Sequence, residues 1–345
     1  MSSIRFSAAI RKALGCVLLL TAVHAPGQKA SRALSSGDMA AYLERLSTKG
    51  KEAGYKEFTY KKTPQGELRV YFAMPKDWKP DDKRAVAIFF YGGGWSNGNV
   101  FSFDEQSEYL AKCGVVAGMA DYRVRTRHGV TPDKCVEDAR SAVRWARANC
   151  KQLGVDPNRV LVGGGSAGAH IAACTAVANA PDDPGDDRNI SCIPNGLILC
   201  YPVASLVDDT RAEQFKQVLG AEMADKLSPA RHVTKDWPPT IMFFGNADKL
   251  LPNGVLLYNK VREAGVAGEL YLAEGEGHAF VNMPPWNYVS AKVAADFFMR
   301  TGVIAKAPLP ETPSGELRKY NGEPVEKIMI KTGGNPTREK LTRRN

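Results

Sequence analysis

The residues best able to do chemistry in this chain are a serine, a histidine and an aspartate in three separate glycine-containing segments. Gly164-Gly165-Ser166-Ala167-Gly168 has the form G-x-S-x-G. The apolar run Arg159-Val160-Leu161-Val162 precedes it, and an alanine-rich stretch with Ala169, Ala172, Ala173 and Ala176 follows. That context predicts a strand, a sharp turn and a helix. A serine on such a turn takes a strained backbone conformation that lifts its hydroxyl above the sheet. Glycines two residues to either side remove side chains that would collide there. A hydroxyl is a weak nucleophile and needs a base. Beyond residue 25 the histidines are His128, His170, His232 and His278. His128 precedes the serine. His170 lies one helical turn after it and reads as packing beside the site. His232 falls in a polar stretch. His278, in Glu274-Gly275-Glu276-Gly277-His278, follows an apolar run and sits among glycines on a loop. Asp248, in Gly245-Asn246-Ala247-Asp248, stands just beyond the apolar run Thr240–Phe244. That is the C-terminal end of a strand, where open α/β sheets build their sites. Asp208 and Asp209, after the preceding strand, are the alternative carboxylates. The chemistry such a set performs is acyl transfer: Ser166 attacks, His278 takes its proton, and Asp248 orients the imidazole.

A fourth segment fits the same chemistry. Tyr91-Gly92-Gly93-Gly94-Trp95 follows the apolar run that begins at Ala85. Glycines there let backbone amides approach a reacting carbonyl, so the N–H of Gly93 or Gly94, with that of Ala167, could hold a developing oxyanion. No Lys-Ser/Thr follows, which argues against a nucleotide P-loop. Tyr91, Trp95 and His170 are candidate lining residues of a substrate pocket.

These segments need a scaffold that brings them to one edge. Apolar runs without alternation recur at 85–91, 115–120, 159–162, 197–201 and 240–244. Such runs suit strands buried on both faces of a parallel sheet. Helical patterns lie between them, the clearest opening at Thr131-Pro132 and recurring through Val136, Ala139, Val143, Ala146 and Cys150. The alternation predicts an α/β fold: a doubly wound, mostly parallel sheet of about eight strands with helices on both faces. Upstream, 57–62 and 67–74 read as an antiparallel hairpin around Thr63-Pro64-Gln65-Gly66. We therefore expect a catalytic domain over 56–304, with a small lid-like insertion at 205–235 and a short N-terminal segment at 26–55. From Ala305, Pro308, Pro310, Pro313, Pro324 and Pro336 interrupt any pattern, so 305–345 reads as a basic, extended or disordered tail.

Composition narrows the class. The chain has 345 residues, 44% hydrophobic and 24% charged, as soluble globular proteins have. Its formal charge of +9 is concentrated at the ends. Residues 1–25 carry +3, and the tail carries nine Lys/Arg against five Glu. The body therefore lacks the basic face that nucleic acid requires. Residues 1–25 read as a secretory signal: Arg5, Arg11 and Lys12, then the apolar run Ala13–Val23, then Val23-His24-Ala25. The run is too short to span a bilayer, so no stable membrane insertion is expected. In an exported chain, Cys113, Cys135, Cys150, Cys174, Cys192 and Cys200 permit up to three disulfides, with pairing undetermined. Cys200 lies in a strongly apolar strand and suits a buried thiol. No Cys/His spacing suggests zinc, and no metal or cofactor is called for. Asp182, Asp183, Asp186 and Asp187 lack an EF-hand spacing and read as a solvated loop.

Together, Tyr91-Gly-Gly-Gly-Trp95, Asp121-Tyr-Arg123, Gly164-Gly-Ser-Ala-Gly168, Gly245-Asn-Ala-Asp248 and Gly277-His278 resemble the α/β-hydrolase-fold esterases related to hormone-sensitive lipase. Within them they resemble the bacterial feruloyl/acetyl esterase-like group. The likeness covers roughly 56–302. It implies an exported serine esterase acting on short acyl (acetyl) or feruloyl esters of carbohydrate, with a small-molecule or polysaccharide-linked ester as its partner. The family often carries His where Tyr91 stands, a residue taken to support the glycine loop. The large N-terminal cap of those relatives has no evident counterpart; only 38–49 could form a helix there. A prolyl-oligopeptidase-like serine peptidase shares the Ser–Asp–His order, and a catalytically inactive binding protein on the same fold is the remaining alternative.

Overall fold

The computed structural model describes residues 36–330. The proposed signal segment lies outside them, as does the end of the tail. The chain forms a nine-stranded sheet in the order β1-β2-β4-β3-β5-β6-β7-β8-β9. The strands are β1 (Lys56–Thr63), β2 (Gly66–Ala73), β3 (Arg84–Phe90), β4 (Val116–Ala120), β5 (Val155–Gly165), β6 (Gly196–Cys200), β7 (Thr240–Gly245), β8 (Gly268–Ala273) and β9 (Arg318–Lys319). Strands β3 to β8 run parallel, while β1, β2 and β9 are antiparallel to their neighbours. Every residue of β4, β6 and β7 is buried. That is the reason their sequences run apolar without alternation.

Seven helices have eight or more residues among the described residues. They are α1 (Ser36–Glu52), α2 (Asp104–Lys112), α3 (Pro132–Ala148), α4 (Ala167–Cys174), α5 (Ala212–Leu219), α6 (Leu251–Glu263) and α7 (Trp286–Arg300). Helix α2 packs on α7 and α3 on α4, covering the two faces of the sheet. The chain leaves β3 for β4 on one side, then crosses back over β3 to β5 on the other. The direction of winding reverses there, and the crevice this opens at the C-terminal strand ends is the usual ligand position of such sheets.

Three expectations can be set against the structure, and one of them, the solvated acidic loop, is corrected. The tail is not free as far as residue 330. Arg318–Lys319 pairs antiparallel with β8 as a ninth strand, Tyr320 is buried against Tyr258, and Tyr109 Oη donates to the Pro310 carbonyl at 2.9 Å. Prolines disguise this docking, because a strap held by scattered contacts needs no periodic pattern. The acidic stretch is not simply solvated either. Asp182 accepts hydrogen bonds from Arg140 and Arg144 of α3, Asp186 pairs with Arg144, and Asp183 pairs with Lys61 of β1. Burial opposes ionisation of Asp182, but the two guanidinium groups outweigh it and hold the carboxyl near 2. Finally, Cys113, Cys135, Cys150, Cys174, Cys192 and Cys200 are free thiols, all buried except the half-buried Cys150.

Candidate active site

Ser166 sits between the end of β5 and the first turn of α4, with φ 55° and ψ −119°. This is a region that non-glycine residues occupy only when the surroundings enforce it. The enforcement is visible. A Cβ on Gly164 would lie 2.3 Å from the Phe90 carbonyl oxygen, and one on Gly168 would lie 2.1 Å from it. Glycine at both positions lets the strand–helix junction press against the end of β3. The Ser166 amide donates to the Cys200 carbonyl at 2.9 Å, tying the turn to β6 as well.

His278 lies on the loop after β8 and Asp248 on the loop after β7. His278 Nδ1 is 2.8 Å from Asp248 Oδ2, and Nε2 is 3.0 Å from Ser166 Oγ. Asp248 is 2% exposed, and its other oxygen accepts the Leu250 amide at 2.9 Å. A buried carboxylate only accepts, so Nδ1 carries the ring proton and donates it. Nε2 is then left with a lone pair that accepts the Ser166 hydroxyl. The arrangement can remove the hydroxyl proton while a fixed negative charge faces the imidazolium that results. The Tyr201 ring covers the imidazole at 4.7 Å between centroids, and Tyr201 Oη donates to Asn282 Oδ1 at 3.3 Å.

The glycine loop lies against the elbow: a Cβ on Gly92 would come within 3.2 Å of Ser166 Cβ. Gly93 turns back to accept the Ser96 amide at 3.1 Å. At Gly94 a Cβ would meet no heavy atom within 4 Å, so this part of the loop borders open space. Ala167 is the first residue of α4, so its N–H has no acceptor within the helix.

The structure does not put Tyr91, Trp95 and His170 on a pocket wall; they are 1%, 5% and 0% exposed. Each side chain has its polar group satisfied inward. Tyr91 Oη donates to Asp121 Oδ1 at 2.6 Å and lies against the Arg127 guanidinium. Trp95 Nε1 donates to His170 Nδ1 at 3.2 Å, and His170 Nε2 donates to the Leu227 carbonyl at 2.7 Å. Trp95 also meets Phe215 of α5 edge-to-face at 5.6 Å, so the 205–235 insertion is bolted to the elbow helix and the glycine loop. Under the loop, burial works against the Asp121 carboxylate. The Arg127 charge overrides it and keeps Asp121 below the usual carboxylate range. Asp208 and Asp209 stand apart from His278, engaged with Ser205 and Arg211. Sequence reasoning gave no role to Tyr201, Arg127 or Asn246, although Asn246 stands within the Gly245–Asp248 motif. Only their neighbourhood to strand ends could have drawn attention to them.

The sheet order, the elbow and the loops at its C-terminal edge define a class, and comparison agrees with it. The chain belongs to the alpha/beta hydrolase fold family, whose profile matches residues 87–282. Esterase 2 of the Planctomycetes species Thermogutta terrifontis superposes with a TM-score of 0.69 at 37% identity, over 73% of this chain and 94% of that one. Carboxylesterase NlhH of Mycobacterium tuberculosis is 26% identical over 241 residues, 62% of this chain and 71% of that protein. An isoprenylcysteine alpha-carbonyl methylesterase of Arabidopsis thaliana is 27% identical over 245 residues, 65% of this chain and 56% of that protein. The chain spans about half the length of the plant relatives it matches.

Proposed function

We propose that the protein is a serine carboxylic-ester hydrolase with Ser166 as nucleophile, His278 as general base and acid, and Asp248 as its orienting carboxylate. The observation that carries this is the continuous hydrogen-bonded series Ser166 Oγ, His278, Asp248, built on a serine in a positive-φ turn. In the first half-reaction Ser166 Oγ bonds to the ester carbonyl carbon while its proton passes to His278 Nε2. The carbonyl oxygen, now an oxyanion, is held by the amides of Ala167 and of Gly93 or Gly94. Collapse breaks the bond to the alcohol oxygen, which leaves with the proton from Nε2. Water then adds to the acyl carbon, gives its proton to His278, and the acid departs as Oγ recovers its hydrogen.

A short acyl group, acetyl to butyryl, on a carbohydrate or small alcohol is the substrate this reading favours. Structures of the Thermogutta esterase carry bound propionate and butyrate. A Butyrivibrio fibrisolvens protein named as an endo-1,4-beta-xylanase is 31% identical over 136 residues, which supports an ester carried on plant polysaccharide, acetyl or feruloyl. Export through residues 1–25 belongs to the same reading. The test is a p-nitrophenyl ester series with the intact chain and Ser166→Ala. Turnover is expected to fall by about three or more orders of magnitude in the variant, with the optimum in the intact chain at the short end. Full activity in Ser166→Ala, or an optimum at octanoyl or longer, overturns it. N-terminal sequencing of protein recovered from the periplasm or medium tests export, with a start near residue 26 expected.

A further inference from the structure

The acid and base loops are held together by one side chain outside the hydrogen-bonded series. Asn246 lies two residues before Asp248 and is 2% exposed. All of its polar atoms are engaged. Its amide donates to the Ala273 carbonyl at 3.1 Å. Its Oδ1 accepts the Gly275 amide at 2.8 Å, and its Nδ2 donates to Glu274 Oε2 at 2.8 Å. These partners lie at the end of β8 and on the loop that leads to His278. The Gly275 amide can only donate, so it fixes which end of the carboxamide is oxygen. The adjacent Ala247 amide donates to the Glu276 carbonyl at 2.9 Å, completing the clasp. The remaining atom, the Asn246 carbonyl oxygen, accepts the Ile330 amide at 3.0 Å.

Ile330 is the last described residue of the C-terminal arm. The arm adds β9 to the sheet edge and buries Tyr320 and Ile328 before it reaches the acid loop. It lies beyond residues 87–282, which match the family profile. We infer that Asn246 is a positioning residue for the hydrolytic reaction, and that the C-terminal arm steadies it by docking on its carbonyl. This rests on the hydrolase reading above. Asn246 touches no reacting atom. It acts by setting the loop after β7 in register with the loop after β8, and so the distance between Asp248 and His278.

The logic of the clasp makes it testable by exchange. Asn246→Asp keeps the acceptor for Gly275, loses the donor to Glu274 and sets two carboxylates face to face. Adding Glu274→Gln supplies a donor from the other side and restores the hydrogen bond in reverse. Asn246→Asp is expected to lower kcat for p-nitrophenyl acetate about tenfold with KM little changed, as the loss of a hydrogen bond beside a new like charge implies. Asn246→Asp/Glu274→Gln is expected to recover most of that loss. Ile330→Pro removes the donor from the arm at a site where the preceding Met329 is already extended, at φ −71° and ψ 128°, as a residue before proline must be. It is expected to lower kcat about threefold, again with KM little changed and with the melting temperature nearly unaltered. Unchanged kcat in both Asn246→Asp and Ile330→Pro, with Ser166→Ala inactive, overturns the positioning role and leaves the hydrolase reading standing. A loss that Glu274→Gln fails to restore also overturns it. Activity surviving in Ser166→Ala removes the hydrolase reading and this inference with it.

Discussion

Replacing Ser166 by glycine should give a more stable protein than replacing it by alanine, the reverse of the usual order. Both changes delete the same hydroxyl and the same hydrogen bond to His278, so their difference isolates the backbone. At an ordinary position, alanine exceeds glycine by about 0.4 to 1 kcal/mol, because glycine loses more freedom on folding. At φ 55° and ψ −119° a Cβ carries a penalty of about 1 to 3 kcal/mol that glycine does not. Subtracting the first effect from the second leaves glycine ahead by about 1 kcal/mol. In a domain of this size that is about 2 to 4 °C in melting temperature. Urea titrations of the two variants, followed by fluorescence and analysed with a common slope, would measure it. Both variants should be inactive under the proposed mechanism, and the strain would then be the cost of placing a hydroxyl at this turn. An alanine variant more stable than the glycine variant by the ordinary margin would mean that the turn relaxes around Cβ at no cost. The strained-elbow argument would then fail.

Further outcomes follow from the same geometry. Gly168→Ala drives a Cβ to 2.1 Å from the Phe90 carbonyl, which must push α4 off β3. We expect a loss of about 1 to 3 kcal/mol in a melting scan, together with a fall in kcat. Burial holds His170 neutral, down to about 4. The unfolded chain takes up that proton near 6.5, so the contribution is complete above pH 6.5 and is lost as pH falls through 4, about 3 kcal/mol in all; stability measured between pH 7 and 4 should fall, and less steeply in His170→Gln. Asp121→Ala strands the buried Arg127 guanidinium and should cost about 3 to 5 kcal/mol, visible as a lower denaturant midpoint.

What could be read from the sequence was what residue identity alone enforces. Gly164 and Gly168 face the Phe90 carbonyl at distances no side chain tolerates, so the elbow is written in composition as well as in shape. Asp248 and His278 could be placed because a parallel sheet delivers every strand end to one edge, whatever the loop lengths. Tyr91 misled for a physical reason. A tyrosine after a strand and before a glycine run has the type of a pocket residue, but its hydroxyl finds Asp121 from β4's end, 30 residues later. The same holds for Asp182 and Asp186. Their arginine partners lie about 40 residues upstream on α3, and charge spacing carries no trace of a tertiary pair. An even count of cysteines carried no geometry at all.

Described residues of both flanking segments contact the surroundings of the site, though neither segment lies within the residues matched by the family profile. At the N-terminal side, α1 sets the Tyr42 ring 4.2 Å from the Arg127 guanidinium carbon. Arg127 in turn grips Asp121 and Tyr91 directly beneath the glycine loop. At the C-terminal side, Ile330 grips Asn246 beside the loop of Asp248. One flank therefore buttresses the residues under the glycine loop and the other the loop that carries Asp248. Loops at a strand edge have few neighbours of their own, and positions held only by such loops open at low free-energy cost. Proposed catalysis by preorganised amides and a preset imidazole requires the opposite, a geometry that costs no reorganisation at the moment of reaction. Cutting either flank should accordingly lower kcat before it lowers the stability of the sheet. A truncation that lowered the melting temperature and kcat strictly together would show that the flanks serve only the fold.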